Sequence, residues 1–269
     1  MPEPPILEFD DVTVSFGNEP AIAGLSLRIP AGQSRIILGA AGSGKTVLLK
    51  TAIGLIRPDR GRVRLFGEDI TERKEQDLYD LRARAGILFQ EGGLFDSLTI
   101  EDNVAYPLRN QKWGARLAEG EILGRVEETL SFVGLEHTLE KFPSQLSGGM
   151  RRRVGIARAV VTEPALVLYD SPTAGLDPIT ANTIIALLIK ERDVKNTTTV
   201  MATHRYQDGQ LLANFRYNPD SGELQPAASD AALDGNRFLV LKEGRLVFEG
   251  TQAELEASTD SYVSKFVRR

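Results

Sequence analysis

Apolar and polar positions alternate in places along LEFDDVTVSF (residues 7–16), and LSLRI (25–29) stops at the turn-forming Pro30-Ala31-Gly32. Patterning of this kind predicts strands. SRIIL (34–38) is a short apolar run that feeds a glycine-rich loop, after which KTVLLKTAIGLI (45–56) has helical character. RVRLFG (62–67) and AGILFQ (85–90) predict two further strands. From about residue 100 to 146 the pattern changes. Charged and polar positions increase, and LAEGEILGRVEETLSFVGL (117–135) predicts amphipathic helix without strand.

The second half returns to alternating element types. An arginine-rich helix, RRRVGIARAVV (151–161), is ended by Glu163-Pro164, because proline cannot continue an interior turn. ALVLYD (165–170) and TTTVMATH (197–204) are nearly continuous apolar runs, the signature of parallel strands covered on both faces. Between them TANTIIALLIKERD (180–193) has helical spacing. The chain closes on a predicted hairpin, RFLVLKEGRLVFEG (237–250), and a short helix over 251–269. Strands that alternate with helices imply an α/β core with a mainly parallel sheet, interrupted by a helical insert. No internal repeat and no interdomain linker is evident, so residues 1–269 are expected to form a single domain. Its core would take about 1–90 and 160–256, with a helical subdomain over about 91–159.

Composition narrows the chemistry mainly by exclusion. With 42% hydrophobic residues the 269-residue chain can bury a sizeable core. A formal net charge of -5 argues against nucleic acid as a partner, which needs a basic field. There is no cysteine, hence no disulfide, thiolate nucleophile or cysteine-ligated zinc, and two histidines cannot build a histidine-rich metal site. MPEPPILEFDD lacks the basic and apolar regions of a secretory signal, and IIALLI (184–189) falls far short of the ~20 residues that span a bilayer. A cytoplasmic location is therefore expected.

One loop carries the strongest signal. Residues 39–46, GAAGSGKT, match G-x-x-x-x-G-K-[ST] between a predicted strand and a predicted helix. Gly39, Gly42 and Gly44 let the backbone turn tightly and aim N–H groups at phosphate oxygens, with Ala40, Ala41, Ser43 and Val47 completing the cradle. The helix N-terminus adds positive potential. Lys45 is expected to reach the β- and γ-phosphates, and Thr46 to ligate Mg²⁺.

LSGGM (146–150), followed by RRRVGIARA and then ALVLYD, resembles the signature region of ATP-binding-cassette (ABC) ATPases. The resemblance covers about residues 6–256, with the family's motifs in order. It implies an ABC-type nucleotide-binding domain with an N-terminal antiparallel β part, binding ATP and Mg²⁺. Phe16, in VSFGNEP, is similar to the aromatic that stacks on adenine. Gln90 resembles the residue that approaches Mg²⁺ and the attacking water, and Asp170 the carboxylate that holds the Mg²⁺ shell. Asp177 resembles the residue that communicates across a dimer, and His204 the switch histidine at the γ-phosphate. Ser147, Gly148 and Gly149 would face the ATP of a second ATPase subunit, so the implied active unit is a dimer. Arg151–Arg153 reads as the solvated face of the signature helix, and His137 as a solvated residue.

Within the family, FQEGGLFDSLTIEDNVAYPLR (89–109) and GLDPIT (175–180) resemble the ATPases of Mla and Mce lipid transporters. That implies integral-membrane permease subunits, an Mce-domain lipid-binding protein, and a peripheral position on the inner face of the cell membrane. The alternative reading is an importer ATPase for small polar solutes. Two departures stand out. The connection 205–236 is longer than the family's, and FRYNPDSGELQP (215–226) carries a turn signal that predicts a small surface hairpin. The other is Ser171, where the family has the glutamate that takes a proton from water. Losing a general base costs about 10²–10⁴ in rate. An impaired homodimer, a heterodimer whose partner keeps the glutamate, an engineered trap and another activating group all remain open, with the homodimer favoured. An ATP-dependent clamp with negligible turnover is the corresponding non-enzymatic reading.

Overall fold

The computed structural model of the chain describes residues 4–17, 19–110, 117–227 and 235–267. In its first part the apolar runs pair as β1 (Leu7–Phe16), β2 (Glu19–Ile29), β3 (Ser34–Gly39), β4 (Arg60–Leu65), β5 (Glu68–Asp69) and β6 (Ala85–Leu88). The helices there are α1 (Lys45–Ala52), α2 (Tyr79–Ala83), α3 (Ile100–Arg109) and α4 (Glu119–Phe132). Then follow α5 (Gly148–Val160), β7 (Leu166–Asp170), α6 (Pro178–Lys195), β8 (Thr198–Thr203) and α7 (Tyr206–Asn214). The chain continues through β9 (Phe215–Asn218), β10 (Glu223–Pro226), β11 (Asn236–Lys242) and β12 (Arg245–Gly250), then α8 (Gln252–Glu256) and α9 (Ser264–Val267).

Two sheets form the centre. The larger has order β12-β11-β3-β8-β7-β6, with β11, β3, β8, β7 and β6 mutually parallel and β12 antiparallel at the edge. The smaller, β2-β1-β4-β5, is antiparallel throughout. Strands β3, β7 and β8 are buried at every position, because both faces of the parallel sheet are covered. Ile36, Leu38, Val167, Tyr169 and Met201 pack with α3 to α7 on one face. Ile37, Leu168, Val200 and Ala202 pack with α1 and the antiparallel sheet on the other. This explains why these strands read as unbroken apolar runs rather than alternating ones.

Local differences from the sequence expectations have local causes. The helix expected over 45–56 stops at Ala52, because Gly54 turns with φ +70° and its N–H returns to the Thr51 carbonyl. The expected single C-terminal helix is two short ones, parted by a turn at Asp260. In the connection 205–236 the expected hairpin over 215–226 forms, and a helix that the pattern did not announce precedes it. The helix is α7 and the hairpin β9–β10, while residues 228–234 lie outside the described residues. The hairpin is fastened to α6: Arg192 donates to the Phe215 carbonyl at 2.8 Å, and Asp193 accepts from the Tyr217 N–H at 2.8 Å.

Beneath β7 lies a buried acid. Glu191 on α6 is 2% exposed, accepts from the Thr197 hydroxyl at 2.8 Å, and faces the fully buried Tyr169 hydroxyl at 3.4 Å. Burial raises its pKa to about 7, against the hydrogen bonds from Thr197 and Tyr169 and the charges of Lys195 and Arg192. The folded state therefore keeps a proton that the unfolded chain releases near pH 4.5, so stability declines as pH rises from about 4.5 to about 7. The full cost is about 3 kcal/mol above that window. Glu191→Gln should remove most of this decline, which urea unfolding at pH 5 and pH 8 will measure. An unchanged pH dependence in the variant would place its origin elsewhere.

Candidate active site

Four neighbouring parallel strands deliver the site. β3, β8, β7 and β6 are consecutive in the sheet, and each is followed at its carboxyl end by a residue expected to carry chemistry. β3 leads into the phosphate loop, β8 into His204, β7 ends at Asp170 before Ser171, and β6 precedes Gln90. The carboxyl edge of a parallel sheet is where such folds bind ligands, because the loops there are free of the packing that covers both faces.

A cavity of about 640 Å³ opens at this edge, lined by Ala40–Val47, Gln90, Ser171, His204 and Phe16. Phe16 is 59% exposed at the cavity rim, so its ring is open to a ligand there. Gly44 caps α1 at φ +101°, and a Cβ there would meet the Ala21 carbonyl oxygen at 2.4 Å, so only glycine allows the loop to close on β2. Lys45 is buried at 8% exposure. Its ammonium donates to the carbonyls of Gly39 at 2.8 Å and Ala40 at 2.9 Å and to Ser43 Oγ at 3.4 Å. Burial lowers its pKa, and the nearby Asp170 carboxylate works in the opposite direction.

Asp170 is 2% exposed, and its Oδ1 accepts from the Ser171 hydroxyl at 3.2 Å. The Thr46 hydroxyl, the Asp170 carboxylate and the Gln90 amide are hard oxygen donors, a set that suits Mg²⁺. Among the described residues no group of three His, Cys, Asp or Glu side chains could hold a metal alone, so any cation here would rely on these mixed donors and on phosphate oxygens. Ser171 itself stands at φ +51°, a left-handed conformation that a non-glycine residue adopts only under constraint.

That constraint is visible. The Ser171 N–H donates to the Ala202 carbonyl at 2.9 Å, and Arg152 donates to the carbonyls of Ser171 at 2.8 Å and Ala174 at 3.0 Å. Arg152 is 3% exposed, which corrects the expectation that Arg151–Arg153 forms a solvated face. Arg151 donates to the Leu146 carbonyl and Arg153 to that of Val133, so all three arginines fasten α5 to its surroundings. Asp208 is another residue that sequence reasoning missed: its Oδ2 accepts from Thr173 at 2.5 Å and from Thr203 at 3.1 Å. It thereby links the turn after Ser171 to the end of β8. No motif flags either residue, because each acts through contacts distant in sequence.

Ser147, Gly148, Gly149 and Asp177 do not line the cavity. Ser147 caps α5 by accepting from the Met150 N–H at 3.3 Å. Asp177 caps α6, accepting from the N–H groups of Ile179 and Thr180 at 3.0 Å and from the Thr180 hydroxyl at 2.6 Å. The Thr180 hydroxyl, with those N–H donors, holds its carboxyl below the usual range. Both caps are exposed. His137 is also exposed, away from the cavity.

A second concavity, about 930 Å³, lies between α2 and β6 on one side and α3 and α5 on the other. Tyr79, Phe89, Phe95 and Tyr106 line it, with Phe95 and Tyr106 each 42% exposed and their rings 4.8 Å apart. Arg158 forms part of its floor and donates to the Gly92 and Gly93 carbonyls at 3.1 and 2.8 Å, tying this groove to the Gln90–Gly92 turn.

Residues 22–174 match the ABC transporter family, and the chain belongs to that family as an ATP-binding subunit. It is 41% identical over 204 residues to the probable ribonucleotide transport ATP-binding protein mkl of Mycobacterium leprae, covering 76% of this chain and 58% of that protein. The methionine import ATP-binding protein MetN of Rhizobium etli is 41% identical over 219 residues, or 81% of this chain and 60% of MetN. The chain thus spans little more than half the length of these two relatives. The intermembrane phospholipid transport system ATP-binding protein MlaF of Haemophilus influenzae is 31% identical over 263 residues, covering 98% of this chain and 90% of MlaF. Among solved structures, the dimeric post-hydrolysis state of the ATP-binding cassette MJ0796, bound to ADP and Pi, superposes with a TM-score of 0.76. It shares 29% identity and covers 91% of this chain and 98% of its own. CbiO1 of Clostridium perfringens, part of a cbiONQ transporter complex, matches with the same TM-score and identity over 98% of this chain and 93% of its own.

Replacing Arg152 by methionine keeps the volume but takes the guanidinium donor from the Ser171 and Ala174 carbonyls. The Ser171 carbonyl keeps its hydrogen bond from the Ala174 N–H at 3.1 Å, so the half-buried Ala174 carbonyl bears most of the change, and a loss of about 1–2 kcal/mol in unfolding free energy is expected by urea titration. A change below about 0.5 kcal/mol would show that this link is not structural.

Proposed function

We propose that this chain is the ATP-hydrolysing subunit of an ABC transporter that moves phospholipids or other lipids. The observation that carries the catalytic part is the common cavity of the phosphate loop, Gln90, Ser171, His204 and the exposed Phe16. In this reading Phe16 stacks on adenine, and the N–H groups of residues 42–46 and Lys45 hold the phosphates. Thr46, Asp170 and Gln90 hold Mg²⁺. When bound, Mg²⁺ neutralises phosphate charge as the terminal bond breaks. His204 hydrogen-bonds the γ-phosphate. Ser147, Gly148 and Asp177, exposed and outside the cavity, and the half-buried Gly149 face the nucleotide of a second copy, which supports a dimer. MJ0796, itself solved as a dimer, is consistent with that arrangement.

Lipid as cargo is supported by FQEGGLFDSLTIEDNVAYPLR and GLDPIT, and by MlaF, a relative matched over almost the full length of both chains. An Mce-domain partner belongs to this reading through the same resemblance. The rival reading, import of a small polar solute, has the higher identity of MetN in its favour, over a smaller share of MetN. In either case a permease would dock in the aromatic groove beside the Gln90 turn and set the chain at the membrane. No helix among the described residues is long and apolar enough to cross a membrane, so the permease supplies the membrane contact in this reading. Phe95→Asp should abolish co-purification with the permease while leaving ATP binding intact. Co-purification at the parental level would remove the groove from the docking surface.

Ser171 sets the rate in this proposal. Its hydroxyl can position water but has no basicity near neutral pH to accept the proton, so hydrolysis is slow and the ATP-bound dimer long-lived. Steady-state phosphate release of the permease-assembled protein should rise by about two orders of magnitude in Ser171→Glu. Equal rates would mean that another group already activates water.

A further inference from the structure

A wall of the nucleotide cavity comes from a part of the chain that no motif marks. After α8 the chain turns at Asp260, whose carboxylate accepts from the N–H groups of Tyr262 at 2.8 Å and Val263 at 2.9 Å. Val263 is 1% exposed and joins the larger apolar cluster, which anchors the turn. Tyr262 is thereby placed against the phosphate loop. Its hydroxyl donates to the Leu241 carbonyl at 3.2 Å and accepts, at a long 3.4 Å, from the Ala40 N–H. Leu241 pairs with Gly39 in the sheet, so one hydroxyl spans the point where β3 and β11 release the loop. The Phe266 ring stands edge-on to Tyr262 at 5.4 Å, and the Lys242 ammonium lies 5.2 Å from the Tyr262 ring centre.

Tyr262, Lys265 and Phe266 line the same cavity as Gly42–Thr46, Gln90, Ser171 and His204. Tyr262 meets the loop at Ala40, whereas the other end of the loop closes at Gly44 on Ala21. Two cations thus border the cavity, in contrasting settings. Lys45 is buried and spends its ammonium on the carbonyls of Gly39 and Ala40. Lys265 is exposed and forms no salt bridge among the described residues. It stands three residues after Tyr262, so that tyrosine's attachment to the loop fixes where the ammonium can reach.

We infer that Lys265 is a further nucleotide-binding residue, a second ammonium that the C-terminal turn brings to the phosphate chain of ATP. This rests on the reading that the cavity receives the nucleotide. A solvent-exposed charge acts at the weak end of charge-assisted contacts and is screened by salt. The test is equilibrium binding of a fluorescent ATP analogue, with Mg²⁺, to the purified chain at 50 mM and 500 mM salt. Lys265→Glu should weaken binding about ten-fold at low salt and by much less at high salt. Lys265→Arg should restore it. In the assembled transporter the same loss should appear in KM for ATP rather than in kcat. A dissociation constant within two-fold of the parent for Lys265→Glu at low salt overturns the inference. Lys45→Ala separates the two layers. If it abolishes binding while Lys265→Glu does nothing, only the role of Lys265 falls. If Lys45→Ala binds as the parent does, the cavity reading falls, and the inference with it.

Discussion

Everything chemically active in this chain depends on one constraint: a parallel sheet packed on both faces leaves only its edges for irregular backbone. Helices α3 to α7 occupy one face, and α1 with the antiparallel sheet occupies the other. Polar loops cannot be buried between these layers without losing hydrogen bonds, so they gather where the strands end. Because β3, β8, β7 and β6 are adjacent and parallel, four such loops emerge side by side. A lysine, an amide, a hydroxyl and an imidazole from four distant stretches thereby meet around one cavity, with the Asp170 carboxylate directly behind the Ser171 hydroxyl.

The second level of organisation is a set of buried polar ties that make those loops move, or stay, together. Arg152 connects the signature helix to the carbonyls on either side of the turn after Asp170. Asp208 connects that turn to the strand that ends before His204. Arg158 connects the same helix α5 to the Gln90 turn and the aromatic groove. Each tie holds a charged side chain on specific partners, an arrangement that selects one geometry over near alternatives more than it adds net stability. A nucleotide at the cavity and a partner in the groove would therefore act on the same helix, and that is the connection an energy-coupling subunit requires.

Ser171 fits this framework as a change of chemistry within intact geometry. The left-handed turn, its backbone hydrogen bonds and the neighbouring Asp170 are all formed. What is missing is a carboxylate able to accept a proton. In the proposed function, binding and closure would draw on the loop, the Mg²⁺ donors and the exposed caps, and none of these needs that group. A membership of the ABC transporter family is thus compatible with a subunit whose ATP-bound state is unusually persistent.

The sequence alone determined the family, the order of the main strands and the composition of the phosphate loop, because those depend on contacts between near neighbours. A glycine is needed where the backbone turns, and a Lys-Thr pair must follow at the start of a helix. The small hairpin after α7 was also legible, since PDSG encodes a turn locally. The arginine run was not: three charges in a row read as a solvated face, yet Arg152 is buried because carbonyls of another segment await it. The C-terminal turn was equally silent. Tyr262 and Ala40 are 222 positions apart, and only the folding of β11 beside β3 brings them into contact. Local chemistry is written in consecutive residues, whereas a partner supplied from across the chain exists only once the sheet has set which strands are neighbours.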